Sequence, residues 1–168
     1  MSYKDFITEI PNFPIDGVNF KDISPLLANE QVFRSALVEM GDKVDAGFNR
    51  PDYWIGIDSR GYIFSSGLAT YFGGGVVCAR KEGKTPGDKV SVSYDLEYGS
   101  ATLEMGKVGM GGGEVVIVDD VLATGGTSQA AVDVLTKAGY TPVAALFPVE
   151  LTFLNPTLSI PYESVIKY

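Results

Sequence analysis

The spacing of apolar residues divides the chain into helical, stranded and irregular stretches. From Glu30 to Ala46, Val32, Phe33, Ala36, Leu37, Met40 and Val44 recur at helical period, and Gly47 is the expected stop. Tyr53–Ile57 is a short, almost uninterrupted apolar run, which predicts a strand buried on both faces. A loop over 58–61, a helix from Tyr62 to Phe72 closed by Gly73-Gly74, and a second strand of the same kind over Gly75–Ala79 follow. Glu114–Val118 is the clearest buried strand. After it come a glycine-bearing loop, a helix over Thr127–Ala138 ending at Gly139, a strand over Pro142–Pro148 and a last one over Ser164–Lys167.

Two regions break this rhythm. Residues 1–30 read as irregular and turn-rich, with Phe6, Phe13, Val18 and Phe20 as apolar anchors. In residues 80–106, Arg80, Lys81, Lys84 and Lys89 stand among Gly83, Pro86 and Gly87 and predict an exposed basic loop. Beyond it, Val90–Tyr94 and Ala101–Met105 alternate around a turn at Tyr98-Gly99-Ser100, predicting a strand pair that forms a flexible flap rather than core. The expected fold is α/β, with a largely parallel central sheet flanked by helices. The 168 residues form a single domain in this reading, with residues 1–30 as a small N-terminal hood and 80–106 as the flap.

Composition narrows the chemistry. The formal charge of −8 gives no general attraction for nucleic acid or an anionic membrane, so any phosphate site must rest on backbone donors and a few placed cations. The chain has no histidine, which removes His-based acid–base catalysis and most zinc sites. Its one cysteine, Cys78, excludes an intrachain disulfide and reads as inert packing. No apolar run approaches membrane-spanning length and no signal core opens the sequence; a cytoplasmic protein is expected.

The most informative string is Val115 to Thr127. Four apolar residues end at Asp119-Asp120, and Val121-Leu122-Ala123-Thr124-Gly125-Gly126 leads to Thr127 at the start of a helix. A parallel strand points its carboxyl end at a ligand crevice. Glycines let backbone N–H groups approach an anion, and a helix N-terminus adds free N–H groups and a positive dipole end. The Thr124 and Thr127 hydroxyls can donate to phosphate oxygens, and the two aspartates can accept from sugar hydroxyls. The string suits a phosphorylated ribose. Gly109-Met110-Gly111-Gly112-Gly113, by contrast, precedes its strand and reads as a connection.

This string resembles the phosphoribosyl-pyrophosphate signature of the type I phosphoribosyltransferases. Pro14–Pro25, Asp58-Ser59-Arg60-Gly61, Arg80–Lys84 and Tyr94–Gly99 extend the resemblance from about Pro11 to Leu151, and the Leu96-Glu97-Tyr98-Gly99 segment with Gly17-Val18-Asn19-Phe20 points to the members that use adenine. The resemblance implies transfer of phosphoribose to adenine, with AMP and pyrophosphate as products and Mg²⁺ held mainly by the substrate rather than by protein ligands. It also implies a homodimer.

Residue by residue, the resemblance gives the 5′-phosphate to Ala123, Thr124, Gly125, Gly126 and Thr127, and the ribose hydroxyls to Asp119 and Asp120. Pyrophosphate falls to Asp58, Ser59 and Arg60, whose Asp58–Ser59 peptide is expected to be cis, together with Arg80 and Lys84 from the basic segment, some of them across a dimer interface. Phe20 would stack on the base against Leu151, the backbone at Asn19 would read its edge, and Lys21 follows in the same segment. Glu97, with Tyr98 and Arg60, would carry the catalytic work. Lys21 stands where arginine is common in the family and Asn19 where a small apolar residue is common. Two alternatives remain at this level: transfer to another 6-substituted purine, and a non-catalytic regulator that binds phosphoribosyl pyrophosphate.

Overall fold

The computed structural model describes residues 2–45, 50–96, 99–107 and 112–168. Five parallel strands form the centre of one sheet. In chain order they are β3 (Tyr53–Ile57), β4 (Gly75–Lys81), β7 (Gly113–Val118), β9 (Tyr140–Glu150) and β10 (Tyr162–Lys167), laid side by side as β10-β9-β7-β3-β4. A two-residue strand β8 (Val121–Leu122) pairs parallel with the end of β9. Helix α3 (Gly61–Phe72) joins β3 to β4, and α4 (Gly126–Lys137) joins β7 to β9.

Alternation along the strands divides the core into two layers. Trp54, Val116, Val118, Ala144 and Leu146 face α2 (Glu30–Asp45) and α3. Ile55, Ile57, Val115, Ile117, Ala145 and Phe147 face α4. Burial on both faces is the reason these strands read as unbroken apolar runs. Trp54 is 1% exposed, and its indole N–H donates to the Gly73 carbonyl (2.7 Å) at the far end of α3 from the sheet's carboxyl edge.

Pro142 lies inside β9, where a central strand normally excludes proline. The pairing with β7 shifts there: Val115 opposes Pro142 and Val116 opposes Ala144, so Val143 is the extra residue of a bulge.

Several expectations are corrected. Residues 1–30 are not irregular. They hold a 3-10 turn (Tyr3–Phe6), an antiparallel hairpin of β1 (Thr8–Pro11) and β2 (Asn19–Asp22), and a short helix α1 (Ser24–Ala28). Their buried anchors are Ile7, Ile23 and Leu26, whereas Phe13 and Val18 are 50% and 39% exposed. Arg80 and Lys81 belong to the end of β4, paired with Glu104 and Leu103, and not to the loop.

The strand pair β5 (Lys89–Asp95) and β6 (Ser100–Gly106) exists as expected, but β6 joins the edge of β4 and extends the sheet antiparallel. Leu103 and Met105 are fully buried among the residues under α4, so β6 is part of the core, while β5 has no buried residue and packs against it with half-buried Val90, Val92 and Tyr94. Leucine and methionine at alternate positions of a half-buried strand are the signal for this, and they read equally well as a flap without knowledge of the β4 pairing. Cys78 is half-buried, not enclosed. The expected stop at Gly47, the last helical residue Ala46 and most of the 109–113 connection lie outside the described residues, as do Glu97 and Tyr98.

Candidate functional site

The chain leaves β3 toward β4 on one side and returns through β7 toward β9 on the other. The order therefore reverses between β3 and β7, and the loops after these two strands diverge at their carboxyl ends. Such a switch point opens a crevice in an open parallel sheet. A cleft of about 520 Å³ occupies it, within the size range of small-molecule sites. Asp58, Ser59 and Arg60 come to it from β3, Asp119, Asp120 and Thr127 from β7 and α4, and Tyr94 and Leu96 from the hairpin.

Close packing holds the floor. Gly61 starts α3 directly beneath the end of β7: a Cβ there would lie 2.5 Å from the Val118 carbonyl oxygen. The Asp58–Ser59 peptide is cis. Asp120 pairs with Arg60 at 2.5 Å, and its backbone N–H donates to the Asp119 carboxylate at 2.9 Å.

Desolvation on the cleft floor, reinforced by the neighbouring Asp120 charge, pushes the Asp119 carboxyl well above its usual range. A raised carboxyl pKa contributes stability that is fully present below the unfolded value, near pH 4, and is lost as pH rises through the folded value. Asp119→Asn removes this penalty while keeping the oxygen that accepts from Asp120. The variant is expected to melt at a higher temperature than the parent at neutral pH, with the gap closing as pH falls toward about 4. Melting curves across that range check it; a gap that widens on acidification would contradict the assignment.

The loop after β7 shapes a second concavity with Gln129 and Thr157, outside the cleft itself, to which this segment contributes Thr127. Thr124 and Gly125 precede α4, Gly126 opens it, and Gly125 adopts φ +95°. Its carbonyl accepts from the Gln129 amide at 2.8 Å, while the Thr157 amide donates to the Thr124 carbonyl at 3.1 Å. The segment around Thr157 thus backs the loop, a role the sequence did not signal.

The basic segment is wired rather than merely solvated. The Asp58 carboxylate accepts from Lys84 Nζ (3.1 Å) and from the Lys81 amide (3.2 Å). Burial works against the Asp58 charge, yet these two partners bring its carboxyl below the usual range. Lys89 pairs with the buried Glu104 at 2.7 Å. Lys81 and Glu82 line the cleft; Arg80 is not among its lining residues. Lys81 had no individual role in the sequence reading, because one member of a charge run cannot be told from the next until the strand end fixes which way each points.

In the hood, Phe20 packs edge-on to Phe13 at 5.3 Å, and the Arg60 guanidinium lies 5.6 Å from the Phe20 ring centroid. Arg60 thus spans from Asp120 to the hood. Asn19 and Lys21 point to the other face of β2. Both bind Glu9, Asn19 Nδ2 at 2.7 Å and Lys21 Nζ at 2.8 Å. Asn19 and Lys21 therefore share one partner. Leu151 is half-buried against the layer under α2 and α3.

A parallel sheet with its cleft at the strand-order reversal, an acidic pair and a glycine-bearing anion loop define a phosphoribosyltransferase. The family model described as the phosphoribosyl transferase domain matches residues 26–149, and the chain belongs to that family. Within it the relatives are adenine phosphoribosyltransferases. That of Mycoplasma mobile is 44% identical, covering 98% of this chain and 96% of its own; that of Mus musculus is 44% identical, covering 96% and 93%. Among solved structures, the adenine phosphoribosyltransferase of Thermoanaerobacter pseudethanolicus superposes with TM-score 0.92 at 37% identity, covering 99% of this chain and 98% of the other. That of Saccharomyces cerevisiae, solved with an imino-altritol bisphosphate and adenine, gives TM-score 0.88 at 33% identity, covering 97% and 96%.

Proposed function

We infer that this protein is an enzyme that joins adenine to 5-phosphoribosyl-1-pyrophosphate, giving AMP and pyrophosphate in purine salvage. The observation that carries the reading is the cleft that gathers Asp58, Ser59 and Arg60, the Asp119-Asp120 pair and Thr127 at the start of α4, with Arg60 reaching from Asp120 to Phe20 of the hood. Adenine N9 supplies the electron pair to ribose C1, pyrophosphate leaves with the C1–O pair, and the N9 proton is lost.

The backbone amides of Ala123, Thr124, Gly125, Gly126 and Thr127, with the two threonine hydroxyls, would hold the 5′-phosphate at the α4 N-terminus. Asp119 and Asp120 would accept from the ribose hydroxyls and favour the positive charge that develops on the ring. Ser59 and Arg60 would face pyrophosphate from the β3 loop, with Asp58 supporting Lys84 beside them. Phe20 would stack on adenine, with Leu151 opposite and the Asn19 backbone at the base edge. Glu97, steadied by Tyr98, would handle the proton at the base, since no histidine is available. The hood and the 80–106 segment serve one domain in this reading, the latter excluding water from the reacting atoms.

Among the described residues no group of three or more acidic, histidine or cysteine side chains gathers to form a protein-only metal cage. The hard oxygens of Asp119 and Asp120 beside the ribose position suit Mg²⁺ that takes most of its ligands from substrate. When bound, it would neutralise the pyrophosphate charge. We also propose a homodimer. In it, Arg80 at the end of β4 would reach the partner's cleft.

The test is a base panel. Protein, phosphoribosyl pyrophosphate and Mg²⁺ are incubated with adenine, guanine, hypoxanthine or xanthine, and nucleotide formation is followed. AMP from adenine alone is expected. Product from another base would move specificity to the Asn19–Lys21 segment, and tight ligand binding with no pyrophosphate release would replace the enzyme reading with a binding protein.

A further inference from the structure

Lys21 presents the unusual feature of the hood: a lysine only 8% exposed. A buried ammonium needs compensation. It has two partners, the Glu9 carboxylate directly across the hairpin and the ring of Tyr168, whose centroid is 4.1 Å from Nζ. Lys4, from the 3-10 turn, approaches the same ring at 4.6 Å. Two cations from separate parts of the hood thus converge on one aromatic ring.

The backbone of Tyr168 is fixed elsewhere. Its amide donates to the Glu150 carbonyl at 2.9 Å, and its carbonyl accepts from the Thr152 amide at 2.8 Å and from the Thr152 hydroxyl. Glu150 and Thr152 flank Leu151. The residue therefore holds the hood through its ring and the segment around Leu151 through its backbone. On β2, Phe20 sits next to Lys21 and faces the other way, toward Arg60.

We propose that Tyr168 is a positioning residue for the base site, setting the gap between Phe20 on the hood and Leu151 on the opposite wall. The proposal rests on the reading that adenine binds between those two residues. Tyr168 touches no substrate in it; it acts through Lys21 and through the Glu150–Thr152 backbone. Asn19 and Lys21 are parts of the same device, because Glu9 holds both and Lys21 carries the contact to Tyr168. The ring is the working part, so phenylalanine should serve as well as tyrosine.

The experiment measures KM for adenine, KM for phosphoribosyl pyrophosphate and kcat on the intact protein and on Tyr168→Phe, Tyr168→Ala, Lys21→Met and Phe20→Ala. Tyr168→Phe should match the parent. Tyr168→Ala and Lys21→Met should each raise KM for adenine about tenfold, the size of one desolvated cation–π contact. KM for phosphoribosyl pyrophosphate should stay within about twofold, since the 5′-phosphate and ribose sites lie on other elements. If Tyr168→Ala does not fold, Lys21→Met reads the contact alone. Equal rises in both KM values, no rise in either, or a Tyr168→Phe variant as impaired as Tyr168→Ala would overturn the proposal. Phe20→Ala separates the two layers of the argument. A raised adenine KM there with a normal Tyr168→Ala would sink the positioning role alone, and an unchanged one would sink the base site on which it rests.

Discussion

Alanine at Gly125 is expected to abolish measurable transfer, while alanine at the neighbouring Gly126 leaves the fold intact. The paired glycines look equivalent in sequence and are not. Gly125 sits at φ +95°, and a Cβ there would lie 2.2 Å from the Thr157 carbonyl oxygen. A left-handed conformation costs an L-residue about 1 to 2 kcal/mol before any clash. The clash cannot be relieved by rotating a side chain, because both groups are backbone and the Thr157 amide is bonded to Thr124. The loop must move, and with it the donors proposed for the 5′-phosphate. A Cβ at Gly126 would meet only ordinary contacts, the nearest at 3.8 Å. Gly125→Ala should therefore lower the melting temperature and raise KM for phosphoribosyl pyrophosphate beyond the reach of saturation. Calorimetry and initial rates on both variants check this, and a fully active Gly125→Ala enzyme would remove the loop from the binding site.

Asp120→Asn should lower kcat/KM by about 10²- to 10³-fold, the scale of losing one preorganised charge at a reacting centre. Asp120 is only 7% exposed and pairs with Arg60 at 2.5 Å. The amide keeps the shape and loses the charge. Arg60 then lacks the partner that holds it across the cleft, and the ribose position lacks a carboxylate when positive charge develops there. The fold should tolerate the change, since removing one of two adjacent acids also relieves their repulsion. Steady-state kinetics beside a melting curve separate the two effects. Undiminished turnover would contradict the role given to the aspartate.

How much of this was legible in the sequence depends on how local each signal is. Tyr53–Ile57 and Glu114–Val118 are buried by the sheet on both sides, so composition alone identified them as strands. Asp119 through Thr127 was legible because acids, glycines and a helix start fall within a few consecutive residues. What failed was nonlocal. The β6 pairing with β4 joins segments some twenty residues apart, and it turned one strand of the expected flap into core. The β1–β2 hairpin sets Glu9 opposite Lys21, a pairing that no periodicity announces. Thr157 behind the phosphate loop and Tyr168 against Lys21 are contacts between distant segments with no motif of their own. Local chemistry fixed the site's identity, and long-range packing fixed which cations reach it.

The burial of Trp54 bears on how such variants are measured. The only indole in the chain lies near the amino end of β3, bonded to Gly73, on the side of the sheet edge away from the cleft. Its fluorescence is thus a reporter of global unfolding that ligand chemistry at the opposite edge does not touch. One optical signal can follow the integrity of every variant while substrate occupancy is varied independently.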